Sequence, residues 1–224
     1  MQIGLIGGIG PAATDYYYQN IIRAFERNDA RLELTMVHTG SPTLLKNLAE
    51  NNIADQVAIY ERLTKRLVLA GADCVVVTSI AGHFCIEPFK EVSPLPVIDM
   101  IEETNKAVQQ LGYKKIGILG TRTVMQSRFY GGISSAAIEP PKGEQLDHVH
   151  NAYVTMAAAG YANEDQRRVF ENACITLLED ETVEAILLGG TDLALVYQQG
   201  NPDFPVIDCA AIHCEAVIKR ALTT

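Results

Sequence analysis

The segment VVVTSIAGHF, residues 75–84, passes from three valines into two hydroxyl side chains, a turn of small residues and a histidine. A buried strand that stops at Thr78 and Ser79 delivers hydroxyls to a sheet edge. His83 lies four residues past Ser79, within one helical turn, so a serine assisted by an imidazole base is one chemistry the spacing allows. A capping or core histidine is the other. Residues 8–13, GIGPAA, satisfy a GxGxxA pattern between a strand and a helix. A dinucleotide site fails on context, because the next strand ends His38-Thr39-Gly40 without an acidic residue for the ribose, and Pro11 lacks one of the required amides. A helix start bare of side chains still offers N–H groups and a positive dipole end, which suits a carboxylate. The stretch TRTVMQS, residues 121–127, is hydroxyl-rich instead. Thr121 and Thr123 can cap the following helix, bind a carboxylate, or do both, and Arg122 and Arg128 are left free to point inward or to solvent. His148 and His150 have a spacing that would suit a metal on a strand, but no cysteine or acidic cluster completes the set, so no metal is expected.

Composition narrows the partner. The chain has 224 residues, 48% of them hydrophobic and 20% charged, which is enough for one large or two small globular domains. A net charge of -9 argues against nucleic acid and acidic membrane surfaces. No apolar segment reaches the ~18 residues that would span a bilayer, and no basic leader precedes the first strand, so a cytoplasmic protein is expected. Five cysteines without CxxC or CxxH pairing read as reduced, mostly buried thiols.

The elements that must position these residues alternate along the chain. Strand patterns fall at 3–7, 32–38, 74–79, 96–100, 115–120, 185–190 and 205–209, and helical spacing at 14–25, 55–70, 101–111 and 163–178. Short apolar strands separated by helices predict a mainly parallel α/β sheet covered on both faces. IGLIG at 3–7 returns as IGILG at 116–120, VVVTS at 75–79 as AILLGG at 185–190, and LPVID at 95–99 as FPVID at 204–208. Three repeats in one order at nearly constant offset predict a duplication. The fold expected is two pseudo-symmetric, doubly wound α/β domains, 1–98 plus 208–224 and 99–207, whose strand ends line a shared cleft. Ser79 and Gly190 are then equivalent positions.

The ordered motifs IGLIGGIGPAAT, GADCVVVTSIAGHF, GILGTRTVMQSRFY, AILLGGTDL and PVIDCAAIHCEA together resemble the aspartate/glutamate racemase superfamily from end to end. The resemblance implies cofactor-independent enzymes with one cysteine at the end of the middle strand of each half, one thiol removing a proton from the substrate α-carbon and the other returning it. Those positions here are Ser79 and Gly190. Ser79 keeps a hydroxyl, Gly190 has no side chain, and Ile80-Ala81 stands where the family has Asn-Thr. His83, Thr191 and Asp192 match family positions. The resemblance therefore implies a catalytic set of Ser79, His83, Gly190 and Asp192, with Gly8, Thr14, Thr78, Thr121, Thr123 and Thr191 binding a small carboxylate and no cofactor or metal. The missing side chain at 190 predicts room for substituents larger than that of aspartate. A one-base lyase or isomerase, or a carboxylate-binding protein without turnover, are the alternatives. Family likeness and the Tyr16-Tyr17-Tyr18 run together suggest a homodimer.

Overall fold

The structure is a computed structural model and describes residues 1–197 and 202–223. Two compact units divide the chain, Met1–Met100 with His213–Thr224, and Ile101–Ile212. Against the expected borders, Asp99 and Met100 stay with the first unit and residues 208–212 with the second.

In the first unit β1 (Ile3–Gly7), α1 (Pro11–Arg27), β2 (Leu34–His38), α2 (Ser41–Ala49), α3 (Ile53–Leu69) and β3 (Cys74–Val77) are followed by a 3-10 turn (Ile80–Cys85), α4 (Ile86–Val92) and β4 (Val97–Ile98). The strands form one parallel sheet in the order β2-β1-β3-β4. Strands β1 and β3 have neighbours on both sides and no exposed residue, which is why they read as unbroken apolar runs. Helix α1 opens with Pro11 in its first turn, where a missing N–H costs nothing, and buries Ala13, Tyr17, Ile21, Ala24 and Phe25 at helical spacing. Of the tyrosine run, Tyr17 is therefore core, whereas Tyr18 is exposed. Helix α3 is capped by Asn52, which accepts from the Asp55 amide, and buries Gln56, Tyr60, Leu63, Thr64 and Leu67.

The second unit runs α5 (Met100–Leu111, its first residue in the first unit), β5 (Lys115–Gly120), α6 (Arg122–Gln126), a 3-10 turn (Phe129–Gly131), β6 (Ala137–Glu139), α7 (Glu144–Ala159), α8 (Glu164–Leu178) and β7 (Ala185–Gly189). A 3-10 turn (Thr191–Leu193), α9 (Ala194–Tyr197), β8 (Val206–Asp208) and α10 (Cys209–Thr223) complete it, α10 crossing the border between units. Its parallel sheet has the order β6-β5-β7-β8, the same arrangement as the first. Asp208, the last residue of the repeated PVID motif, accepts from the Ala210 and Ala211 amides and caps α10. His148 and His150 lie on α7 and not on a strand, and helix residues two apart do not share a face, so the metal geometry considered for them does not form. Among the described residues no helix is long and apolar enough to cross a membrane.

One segment departs from ordinary backbone. Arg128, Phe129 and Tyr130 all have positive φ (53°, 60° and 56°), and Gly131 follows at 69°, which makes a single turn of left-handed helix. Each non-glycine residue there costs roughly 1–2 kcal/mol through its Cβ. Burial of Phe129 and hydrogen bonds from the Tyr130 amide to the Ser127 hydroxyl and from the Gly131 amide to the Ser127 carbonyl hold the turn in place. Replacing exposed Arg128 with glycine removes its Cβ strain. After the extra entropy glycine loses on folding, Arg128→Gly should still stabilise the protein by about 0.5–1 kcal/mol, while Arg128→Val should destabilise it. Urea unfolding of the two variants checks the sign of each.

Candidate active site

The first unit places its hydroxyls where the β1–β3 ladder stops. Thr78 donates from its main chain and side chain to the Ile6 carbonyl, and its Oγ1 lies 3.2 Å from Thr14 Oγ1. Thr14 reaches back to the Gly10 carbonyl and accepts the Gly8 amide at 2.9 Å. That N–H, expected to face an anion, is thus taken by Thr14, and the two residues brace the loop. Glycine is required at position 8 because φ is +96° and a Cβ would lie 2.3 Å from the His38 ring. No side chain caps α1.

Ser79 follows in extended conformation (φ -143°, ψ 129°), 4% exposed, its carbonyl accepting from the Gly82 amide. Among the described residues its hydroxyl makes no hydrogen bond. His83 is close, but its Nδ1 meets the Ser79 carbonyl at 2.8 Å, and its Nε2 accepts the Met100 amide at 3.3 Å. The imidazole expected as a base for the Ser79 hydroxyl is instead bonded to main chain on both sides. Its ring ties the end of β3 to the start of α5. Burial lowers its pKa, so it stays neutral, as this pair of bonds requires. Its ring packs edge-on against His213, 6.0 Å between centroids. His213 donates from Nε2 to the Ile98 carbonyl and accepts at Nδ1 from the Tyr17 hydroxyl, both at 2.8 Å.

The second unit repeats the backbone and not the side chain. Gly190 ends β7 with φ -144° and ψ 119°, and its carbonyl accepts from the Leu193 amide, as that of Ser79 does from Gly82. A Cβ at position 190 would lie 2.3 Å from Tyr153 Cε2 and 3.0 Å from its Oη. The Tyr153 ring lies in the place that a Cβ at this position would take. Tyr153, 5% exposed, donates from Oη to Asp192 Oδ2 at 3.0 Å. Asp192 is thus more than a helix cap. The hydroxyl of Thr191 is buried with no partner among the described residues. Thr121 caps α6 by accepting the Val124 amide at 3.4 Å, and Thr123 is exposed beside it. Arg122 pairs with Asp147 at 2.5 Å and gives its amide to His150, while Arg128 is exposed.

All five cysteines are free and buried. Burial pushes Cys85 up to about 12, and burial with Asp208 nearby raises Cys209, so both are neutral thiols and neither is an ionised nucleophile.

Comparison with known proteins places the chain in a family. The family model for Asp/Glu/hydantoin racemases matches residues 6–217. The chain belongs to this family. The broad specificity amino-acid racemase RacX of Bacillus subtilis (strain 168) is 22% identical over 231 residues, covering 99% of this chain and 98% of that protein. A Yersinia pestis structure assigned to the Asp/Glu racemases superposes with a TM-score of 0.85 at 25% identity, covering 99% of this chain and all of the other. An aspartate racemase homologue from Pyrococcus horikoshii OT3 gives 0.80 at 24% identity, with 99% of each chain covered. Within this family framework, Tyr153 is the residue the sequence reading passed over. Leu146, Val149, Tyr153 and Met156 carry helical spacing that would have revealed α7 and its buried face.

The buried imidazoles set a pH dependence. His213 is held down to about 3, chiefly by burial and secondly by His83, whereas in the unfolded chain it titrates near the usual 6.5. Below 6.5 the unfolded chain takes up a proton that the folded protein excludes, so stability present above 6.5 is lost progressively as pH falls towards 3. From pH 6.5 to 5 this group alone accounts for about 2 kcal/mol. A glutamine can donate and accept at the same two sites, so His213→Gln should show a visibly shallower loss of urea stability over that interval.

Proposed function

We propose that this protein moves the α-proton of a small amino-acid carboxylate, or a close derivative, without a cofactor and with acid/base groups other than a cysteine pair. The observation that supports it is Ser79 at the end of β3, 4% exposed and with no hydrogen bond to its hydroxyl among the described residues, in a chain of the racemase family. In the second unit the Thr191 hydroxyl is buried with no partner among the described residues, which leaves it able to donate to a carboxylate. Ser79 supplies one proton-transfer group. An alcohol is a weak base at neutral pH, and His83 is committed elsewhere, so turnover should be slower than a thiolate pair would give.

A second reading, a one-base lyase or isomerase such as a decarboxylase or dehydratase, is favoured by the backbone of Gly190, which carries no acid of its own. The two are separated by incubating each enantiomer of a panel of amino acids, aspartate and glutamate included, in deuterated water and following chirality and mass. The proposed reading expects label at the α-carbon with at least partial inversion, and Ser79→Ala should slow it by about 10²-fold or more. Loss of mass from the substrate would establish the lyase instead, and no label in any amino acid would refute α-proton transfer.

A further inference from the structure

We propose that the groove between α2 and α3 of the first unit is a second, non-catalytic site, which binds a free apolar amino acid as its zwitterion. The proposal is independent of the α-proton chemistry above, because it concerns binding at other residues of one unit. The groove has a volume of about 610 Å³, and Pro42, Lys46 and Asn47 of α2 and Asp55, Ala58 and Ile59 of α3 line it. That volume is ordinary for a small-molecule site. Asn47 lines the groove although it is only 4% exposed, and its Nδ2 donates to Oε1 of the fully buried Gln56 at 3.0 Å. Its Oδ1 accepts no hydrogen bond among the described residues, and Gln56 Nε2 behind it is buried with no partner. Two buried amides that do not satisfy each other are costly as packing alone, and the open acceptor belongs to the residue that lines the groove.

The charges around Asn47 define what the groove would take. Lys46 and Asp55 line it from opposite helices without pairing with each other, and the Lys46 ammonium has no partner among the described residues. Asp55 accepts from Asn52 Nδ2 at Oδ2 and keeps Oδ1 open. Two acceptors, Asn47 Oδ1 and Asp55 Oδ1, call for a group rich in donors, and a primary ammonium carries three. Lys46 calls for an anion. Pro42, Ala58 and Ile59 add apolar surface against which a hydrocarbon side chain loses its contact with water. An ammonium, a carboxylate and an aliphatic chain on one small molecule make an apolar α-amino acid. Exposed charges contribute little each, so affinity should be millimolar, with the buried Asn47 acceptor supplying most of the discrimination.

The probe is L-leucine, titrated into the whole chain with alanine and isoleucine methyl groups labelled for NMR. The Ala58 and Ile59 methyl signals should shift saturably at millimolar leucine. 4-Methylpentanoate, which lacks the ammonium, should bind about tenfold more weakly, and leucinol, which lacks the carboxylate, about threefold more weakly. Lys46→Met and Asp55→Asn change exposed residues, so each should weaken leucine about threefold with Tm little changed. Ser79→Ala should leave the titration as it is in the wild type. No saturable shift at Ala58 and Ile59, equal binding of all three compounds, or undiminished affinity in both charge variants would overturn the site. Loss of the shifts in Ser79→Ala would place leucine at the strand end and overturn it as well. A protein that binds leucine in the groove and exchanges no α-proton would refute the proposed activity and leave this site standing.

Discussion

A short parallel strand with partners on both sides and helices over both faces has no place for a polar side chain along its length. Strands β1, β3 and β7 obey this, each with every residue buried. Polar chemistry is therefore confined to the first residues past the ladder, where main-chain groups lose their strand partners and side chains or turns must replace them. That single constraint puts Thr78 and Ser79 at one sheet edge and Gly190, Thr191 and Asp192 at the other. It also explains why each sheet ends in a tight 3-10 turn whose amide returns to the carbonyl of the edge residue.

The first unit secures its edge with neutral imidazoles. His83 bridges the Ser79 carbonyl and the Met100 amide, and His213 bridges the Ile98 carbonyl and Tyr17. Each ring needs one donor and one acceptor nitrogen, so protonating either would turn an accepting site into a clashing N–H. Burial keeps both rings in the useful form. Among the described residues the second unit has no imidazole in the corresponding role. It secures its edge with a hydrogen bond from the Tyr153 phenol to the Asp192 carboxyl.

Much of this was legible in the sequence. The long apolar strands and the four helices with strong periodicity appear where spacing puts them, and the repeated order of both sheets follows the repeated motifs. The elements that escaped are informative. Strand β6 has only three residues, too few for alternation to register. Helix α7 begins after Pro140-Pro141 and mixes valine, threonine, histidine and tyrosine with alanine, so its apolar face is faint and its histidines looked strand-like. Identity at the edges was readable for Ser79 and Gly190, whereas partnership was not: nothing local to His83 says that it binds a carbonyl in place of a hydroxyl. The filling of position 190 by a residue 37 places earlier in the chain depends on tertiary packing alone.

Gly190 and Tyr153 behave as one packing unit drawn from two separate elements. A Cβ at 190 would lie 2.3 Å from Tyr153 Cε2, so enlarging residue 190 obliges the ring to shift, and shrinking residue 153 opens a void that residue 190 has no side chain to fill. The stability effects of substitutions at the two positions are therefore not additive, and neither residue can be altered as if the other were a bystander.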